Sequence, residues 1–101
     1  MIRIMICDDE PKMLSDIAEA AALIVNGSEI SAHCDGKELL SVLGSEKCDI
    51  LLLDIDMPHI SGLEIAQSLS KTNERPLLIF VTSHDTYQRY HGRDPAKIQY
   101  A

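Results

Sequence analysis

The chain alternates short apolar segments with longer stretches in which apolar residues recur every three or four positions. The short segments predict β-strands, and the longer stretches, each with one apolar face, predict α-helices. The second short segment is less apolar than the others, which is typical of an edge strand. This alternation predicts an α/β fold with a doubly wound parallel sheet, helices on both faces and right-handed crossovers. The predicted strands span residues 2–7, 29–34, 49–54 and 77–82.

The first helix is expected to begin at Pro11, because a proline suits the first turn, where its missing amide hydrogen is not needed. Asp9 or Glu10 is predicted to be its N-cap residue. The Asn-Gly pair at 26–27 is a typical stop signal and predicts the end of the helix. The predicted buried face consists of Leu14, Ile17, Ala21 and Ile24.

The other two helices are each preceded by a capping-box pattern, in which two side chains three positions apart bond each other's backbone amides. Asp35 with Glu38 matches this pattern, and so does Ser61 with Glu64. Two short helices are therefore predicted to start directly after Asp35 and Ser61.

Acidic residues follow two of the predicted strands. Asp54 ends the third strand and Asp56 comes two positions later, whereas Asp8 and Asp9 follow the first strand. The carboxyl ends of parallel strands lie at one edge of the sheet, where open α/β folds bind their ligands. We therefore expect Asp8, Asp9 and Asp54 to form one acidic pocket.

Three carboxylates in one pocket repel one another, so either some bind protons or a hard cation neutralises them. Mg²⁺ held by Asp8, Asp9 and Asp54 fits well, because it needs few protein oxygens and keeps several waters. A cation beside a nucleophilic aspartate is an arrangement for phosphoryl transfer, with an aspartyl phosphate forming at Asp54. A hydroxyl at Thr82, at the end of the fourth strand, is placed to bond a phosphoryl oxygen. The alternative is that the acids only cap helices and the hydroxyl only bonds loop backbone.

Composition limits the possible functions. The 101 residues allow one domain, and the net charge of −7 argues against a nucleic-acid surface and for a cation site or a basic partner. No apolar run approaches the roughly 18 residues of a membrane span, and no signal peptide precedes the first strand, so we expect a cytoplasmic protein. The three cysteines have no C-x-x-C spacing and are predicted to be buried free thiols.

Three motifs together resemble the receiver domain of two-component response regulators. They are Ile-Cys-Asp-Asp-Glu-Pro at 6–11, Leu-Leu-Leu-Asp-Ile-Asp-Met-Pro at 51–58 followed by Gly62, and Phe-Val-Thr-Ser at 80–83. The resemblance covers residues 1–85, the expected domain core, and implies a flavodoxin-like fold with strand order 2-1-3-4-5. The Asp-Asp-Glu-Pro and Val-Thr-Ser-His forms look most like regulators with a LytTR-type DNA-binding output domain, which implies transcription regulation.

The resemblance implies a role for each matching residue. Asp54 aligns with the phosphoacceptor, and Thr82 aligns with the switch hydroxyl. Asp9 aligns with the direct Mg²⁺ ligand, Asp8 with its partner, which often acts through water, and Asp56 with the position whose backbone carbonyl binds the metal. The implied phosphoryl donor is a phosphohistidine on a sensor histidine kinase, and the implied cofactor is Mg²⁺. The chain is not expected to be an enzyme beyond catalysing its own phosphorylation.

The C-terminal segment departs from the family pattern. Receiver domains place a lysine followed by a proline at the end of a fifth strand, whereas Lys97 is preceded by Pro95 and no apolar strand leads up to it. Tyr100 is only a weak candidate for the switch aromatic residue of that strand. We therefore expect residues 86–101 to be a divergent or truncated segment in which the fifth strand and last helix are missing or altered.

Two consequences are expected from this departure. Without a fifth strand, residues 77–82 would form an apolar sheet edge, and such edges pair readily with other chains. The sequence therefore predicts self-association through this segment. Without a lysine ammonium beside the phosphoryl oxygens, Asp54 is expected to accept phosphate slowly.

Two other functions remain open from the sequence. The stretch from Asp54 to Asp56 also resembles the D-x-D motif of haloacid-dehalogenase-like phosphatases, although Met57-Pro58 and its position in mid-chain fit that motif poorly. Such a phosphatase needs the carboxyl of Asp56 as a general acid, whereas a receiver tolerates Asp56→Asn and loses labelling only with Asp54→Asn. The third possibility is a pseudo-receiver, an interaction module that is not phosphorylated and whose acids bind no Mg²⁺.

Overall fold

A computed structural model describes residues 1–72 and 75–81 of the chain. In this part strands and helices alternate as predicted, and the strands are slightly shorter than the apolar segments that predicted them. None of these helices is long and apolar enough to cross a membrane. The strands are β1 (Arg3–Cys7), β2 (Glu29–His33), β3 (Ile50–Leu53) and β4 (Leu77–Phe80), and the helices are α1 (Pro11–Ile24), α2 (Gly36–Leu43) and α3 (Gly62–Leu69).

The strands form one parallel sheet in the order β2-β1-β3-β4. Cys7 at the end of β1 lies opposite both His33 and Leu53, and Leu53 lies opposite Phe80. The strands therefore end together at one edge of the sheet, which confirms the predicted parallel α/β architecture. The predictions of a missing or altered fifth strand and last helix, and of a distinct segment at 86–101, lie outside the described residues.

Residues of β1 alternate between two hydrophobic cores, one on each face of the sheet. Alternate side chains of a strand point to opposite faces, so a strand that is buried throughout must be covered on both sides. The residues of β1 after Arg3 are indeed all buried. The core on the α1 side contains Ile4, Ile6 and Ala21, and the core on the side of α2 and α3 contains Met5, Cys7, Leu39, Leu51, Leu53 and Ile65.

Helix α1 begins at Pro11 as predicted, and Glu10 occupies the N-cap position but makes no side-chain cap bond. The prediction that Ile24 lies on the buried face is wrong, because its side chain is 81% exposed. Val25, one position further along, packs against the core on the α1 side instead. The buried face of α1 therefore continues to Val25, and Ile24 lies on the solvent side of it.

One of the two predicted capping boxes is confirmed. Ser61 Oγ accepts the Glu64 amide at 3.2 Å, and the Glu64 carboxylate accepts the Ser61 amide at 3.1 Å. The second predicted box is only partly right. Asp35 does cap α2, by accepting the Lys37 amide at 3.0 Å, but the Glu38 carboxylate bonds the ring of His33 and not the Asp35 amide. A nearby ring nitrogen has replaced the backbone amide as the partner of that carboxylate.

The cysteines are free thiols, as predicted, but they differ in exposure. Cys7 is buried and Cys48 is half-buried, whereas Cys34, in the loop after β2, is exposed, so the prediction of burial is wrong there. Burial raises the pKa of the Cys7 thiol to about 12. This thiol therefore stays protonated at neutral pH, and it donates to the sulfur of Met57 at 3.6 Å.

Candidate functional site

Three predicted acids meet at the carboxyl edge of the sheet. Each of Asp8, Asp9 and Asp54 offers a carboxylate oxygen, and these oxygens all lie within 4.8 Å of one another. The sheet register causes this convergence, because β1 and β3 end side by side and the Asp54 amide donates to the Cys7 carbonyl at 3.0 Å. The prediction that these three side chains share one pocket is confirmed.

Asp8 is held by burial and by two hydrogen bonds. It is buried, its Oδ1 accepts the Glu10 amide at 2.9 Å, and its own amide donates to the His33 carbonyl at 3.1 Å. Burial raises the pKa of the Asp8 carboxyl above its usual range, and the charges of Asp9 and Glu10 raise it further, against the effect of the Glu10 amide bond. The site therefore disfavours a third negative charge unless a cation compensates it.

The donor set fits a small divalent cation. Carboxylate oxygens are the ligands that Mg²⁺ prefers, and oxygens on opposite sides of an octahedral Mg²⁺ lie about 4 Å apart. The 4.8 Å limit on the separations of the three acids is close to that span. Asp9 is exposed and Asp54 is half-buried, so water can complete the coordination. The arrangement is suited to holding a metal beside a carboxylate.

The loop that follows Asp54 is anchored by side chains that alternate in burial. Ile55 and Met57 are buried, whereas Asp56 is exposed, and the Asp56 amide donates to Asp54 Oδ1 at 3.3 Å. Sequence reasoning missed these two anchors, although the apolar-polar alternation after Asp54 is a signal that points to them. The result is a loop whose backbone can orient the acid beside it.

The far end of the same loop needs glycine. A Cβ atom on Gly62 would collide with the carbonyl oxygen of Asp54, and the Gly62 amide donates to the Ile55 carbonyl at 2.8 Å. Between these points His59 has φ of 70° and the Ile60 amide donates to the Pro58 carbonyl at 2.8 Å, which is a tight three-residue turn. The start of α3 is therefore packed directly onto the residue that carries the candidate chemistry.

Several predicted site residues fall outside the described part of the chain. These are Thr82, the predicted switch hydroxyl, and Lys97 and Tyr100, the candidate residues of a fifth strand. Their roles stay predictions.

Comparison with known proteins gives one family model that matches most of the chain. The model of the response regulator receiver domain matches residues 4–92. The response regulator MprA of Mycolicibacterium vanbaalenii is 28% identical over 100 residues, which make up 98% of this chain and 42% of MprA. The positive alginate biosynthesis regulatory protein of Pseudomonas aeruginosa is 34% identical over 88 residues, 85% of this chain and 35% of that protein. The chain thus spans less than half the length of these curated relatives.

Solved structures show the same similarity. The response regulator TrrA of Thermotoga maritima, whose structure is a complex with Mg²⁺ and BeF, superposes with a TM-score of 0.76 at 34% identity, covering 97% of this chain and 84% of TrrA. The receiver domain of the Francisella response regulator 1452 superposes with a TM-score of 0.73 over 88% of this chain and 74% of that domain. At 23% identity, this second likeness concerns the fold alone.

Proposed function

The chain belongs to the response regulator receiver domain family, and from this membership we propose that it acts as a phosphorylatable switch. Asp54 accepts a phosphoryl group from the phosphohistidine of a sensor histidine kinase, and Mg²⁺ is the cofactor. The observation that carries the proposal is the convergence of Asp8, Asp9 and Asp54 within 4.8 Å, on the flavodoxin-like strand order expected for such a domain.

The proposed reaction is a displacement at phosphorus. A carboxylate oxygen of Asp54 forms a bond to phosphorus while the bond to the donor imidazole breaks, and the electron pair stays on the imidazole nitrogen. When bound, Mg²⁺ neutralises the charge on the phosphoryl oxygens. The Asp56 amide donates to Asp54 Oδ1 at 3.3 Å. This bond turns Oδ1 toward the loop, so Oδ2 is the oxygen proposed to attack phosphorus.

The other residues are proposed to hold the metal and to respond to the phosphoryl group. Asp9 provides a direct ligand, Asp8 provides one through water, and Asp56 provides its main-chain carbonyl. Thr82 is the hydroxyl that bonds a phosphoryl oxygen and reports that the site is occupied. The support for these assignments is the position of the three acids and the match of the motifs to the family.

Labelling with a small acyl phosphate tests the proposal. We expect the intact mass to rise by one phosphoryl group when Mg²⁺ is present and to stay unchanged in EDTA, because three clustered carboxylates repel the donor unless a cation neutralises them. The sequence-based expectation of an incomplete site adds that the labelling is slow. Rapid and complete labelling would contradict that expectation, and no labelling at any time would favour the pseudo-receiver.

We propose further that the output of this switch is transcription regulation through a LytTR-type DNA-binding domain. The support is the form of two motifs, Asp-Asp-Glu-Pro at 8–11 and Val-Thr-Ser-His at 81–84. Residues 1–85 are proposed as the receiver core, with 86–101 as a divergent or truncated segment. The acidic charge of the chain opposes direct contact with DNA, so DNA binding by the isolated chain in a mobility-shift assay would contradict this division.

Self-association through β4 is expected to appear in sedimentation. Within residues 75–81 this strand pairs with β3, and it ends the strand order that the structure describes. If residues 77–82 form an open apolar edge, the sedimentation coefficient should rise with protein concentration. The substitution Leu77→Lys, at a side chain that is 51% exposed, should reduce this dependence, because charge on a sheet edge discourages pairing. A monomer at all concentrations would contradict the prediction.

A further inference from the structure

Three hydrogen-bonded side chains connect β2 to the first turn of α2. The ring of His33 is the middle one, with its Nδ1 3.1 Å from Glu38 Oε1 and its Nε2 3.1 Å from Ser31 Oγ. His33 is the last residue of β2 and is only 8% exposed, whereas Glu38 lies at the surface. We call these residues, Ser31, His33 and Glu38, the histidine link.

The chemistry of the partners fixes how the link is bonded. A carboxylate only accepts hydrogen bonds, so Nδ1 of His33 carries the hydrogen and donates it to Glu38. In the neutral ring Nε2 is then the acceptor, and the Ser31 hydroxyl donates to it. Both ring nitrogens are satisfied in one orientation, and the ring is held between the strand and the helix. The link therefore fixes the end of β2 relative to α2.

The backbone of His33 extends this constraint to the acidic site. Its carbonyl accepts the Asp8 amide at 3.1 Å, so the position of His33 helps to set the position of Asp8. The start of α2 also touches the loop after β3, because a Cβ atom on Gly36 would collide with the side chain of Ile60. The histidine link thus connects to the acidic site in two ways. One is the hydrogen bond from the Asp8 amide to His33, and the other is the contact of α2 with the loop that follows Asp54.

We propose that His33 and Glu38 are positioning residues for the Mg²⁺ site, an inference that rests on the proposed function of the acids. Neither side chain belongs to the cluster of Asp8, Asp9 and Asp54 that would hold the metal. Glu38 holds the ring, the ring holds the end of β2, and the carbonyl there holds the backbone of Asp8, whose carboxylate would bind the cation. Loss of the carboxylate lets the ring turn, and the Asp8 amide loses part of its restraint.

Three variants separate positioning from charge. Glu38→Ala removes the acceptor and the charge, Glu38→Gln removes the charge but keeps an oxygen that accepts from Nδ1, and Glu19→Ala removes an equal charge from the exposed surface of α1. Mg²⁺ binding is measured by titration calorimetry on each, and the Asp8 amide is followed by ¹H–¹⁵N NMR without metal. Thermal unfolding of each variant is recorded in the same buffer.

We expect Glu38→Ala to raise the Mg²⁺ dissociation constant about tenfold, as removal of an outer-shell partner does in metal sites. The Asp8 amide resonance should shift in Glu38→Ala, while Glu38→Gln and Glu19→Ala should bind Mg²⁺ like the wild type. Equal weakening in all three variants would mean that only net charge matters, and it would overturn the inference. An unchanged Asp8 resonance or an unchanged affinity in Glu38→Ala would also overturn it.

The outcome for the wild type distinguishes this inference from the proposed function. If the wild type binds no Mg²⁺, the proposed function fails and the positioning role fails with it. If the wild type binds Mg²⁺ and Glu38→Ala binds it equally well, only the positioning role fails. A lower unfolding temperature in Glu38→Ala with unchanged Mg²⁺ affinity would assign the link to stability alone.

Discussion

Replacing Asp54 with asparagine should abolish phosphoryl incorporation from a small acyl phosphate. An amide is a poor nucleophile, whereas a carboxylate that lies beside a bound cation attacks phosphorus readily. Asp8 cannot take over, because it is buried and its Oδ1 accepts the Glu10 amide at 2.9 Å. Intact-mass spectrometry with Mg²⁺ should therefore show one added phosphoryl group on the wild type and none on Asp54→Asn.

Asp16→Asn is the matched control for this experiment. It makes the same chemical change at an exposed position of α1, where Asp16 pairs with Lys12 at 3.3 Å, and it should label like the wild type. Labelling of Asp54→Asn to the wild-type extent would place the phosphoryl group elsewhere and would contradict the assignment. Peptide mapping of the labelled wild type locates the modified residue directly.

The part of the site that the sequence predicts depends on strand ends. Asp8 and Asp54 each follow an apolar strand, and parallel strands bring their carboxyl ends to one edge whatever the details of their packing. The capping box of Ser61 and Glu64 is also predictable, because both partners lie within one helical turn. These features depend only on local sequence patterns and on the parallel arrangement of the strands, so they can be predicted from the sequence.

The remaining features depend on contacts between segments that are distant in the sequence. Glu38 bonds His33 instead of completing a capping box, and that choice depends on how β2 and α2 meet. The exposure of Ile24 depends on how α1 is turned on the sheet, since Val25 takes the place against the core, and the need for glycine at position 62 depends on the approach of α3 to Asp54. A periodic pattern carries no information on contacts between distant segments. It therefore predicts a buried face or a cap even where such a contact gives the residue another role.

Replacing Asp8 with asparagine should weaken Mg²⁺ binding and at the same time stabilise the metal-free protein. The loss of one acid that binds through water should raise the Mg²⁺ dissociation constant roughly 10–100-fold. Without metal, the substitution removes a repulsion that is about 1 kcal/mol between unit charges 4.8 Å apart even at the dielectric constant of water. For a domain of this size that corresponds to a rise of roughly 4–8 °C in Tm. The asparagine oxygen can still accept the Glu10 amide, so the loop geometry is retained.

The pH dependence gives this prediction its sign. Burial raises the pKa of Asp8 in the folded protein, so its ionisation disfavours folding once the pH rises above the ordinary carboxyl value of about 4. The excess in Tm of Asp8→Asn over the wild type should therefore be absent below that pH, grow as the pH rises through the raised pKa and stay constant above it.

Added Mg²⁺ should reverse the order of the two Tm values at neutral pH, because binding stabilises the wild type by mass action and the variant much less. Thermal unfolding across pH, with and without Mg²⁺ and with Asp16→Asn as the control, measures both effects. An equal or lower Tm for metal-free Asp8→Asn at neutral pH would show that the acids do not repel one another as their separation requires.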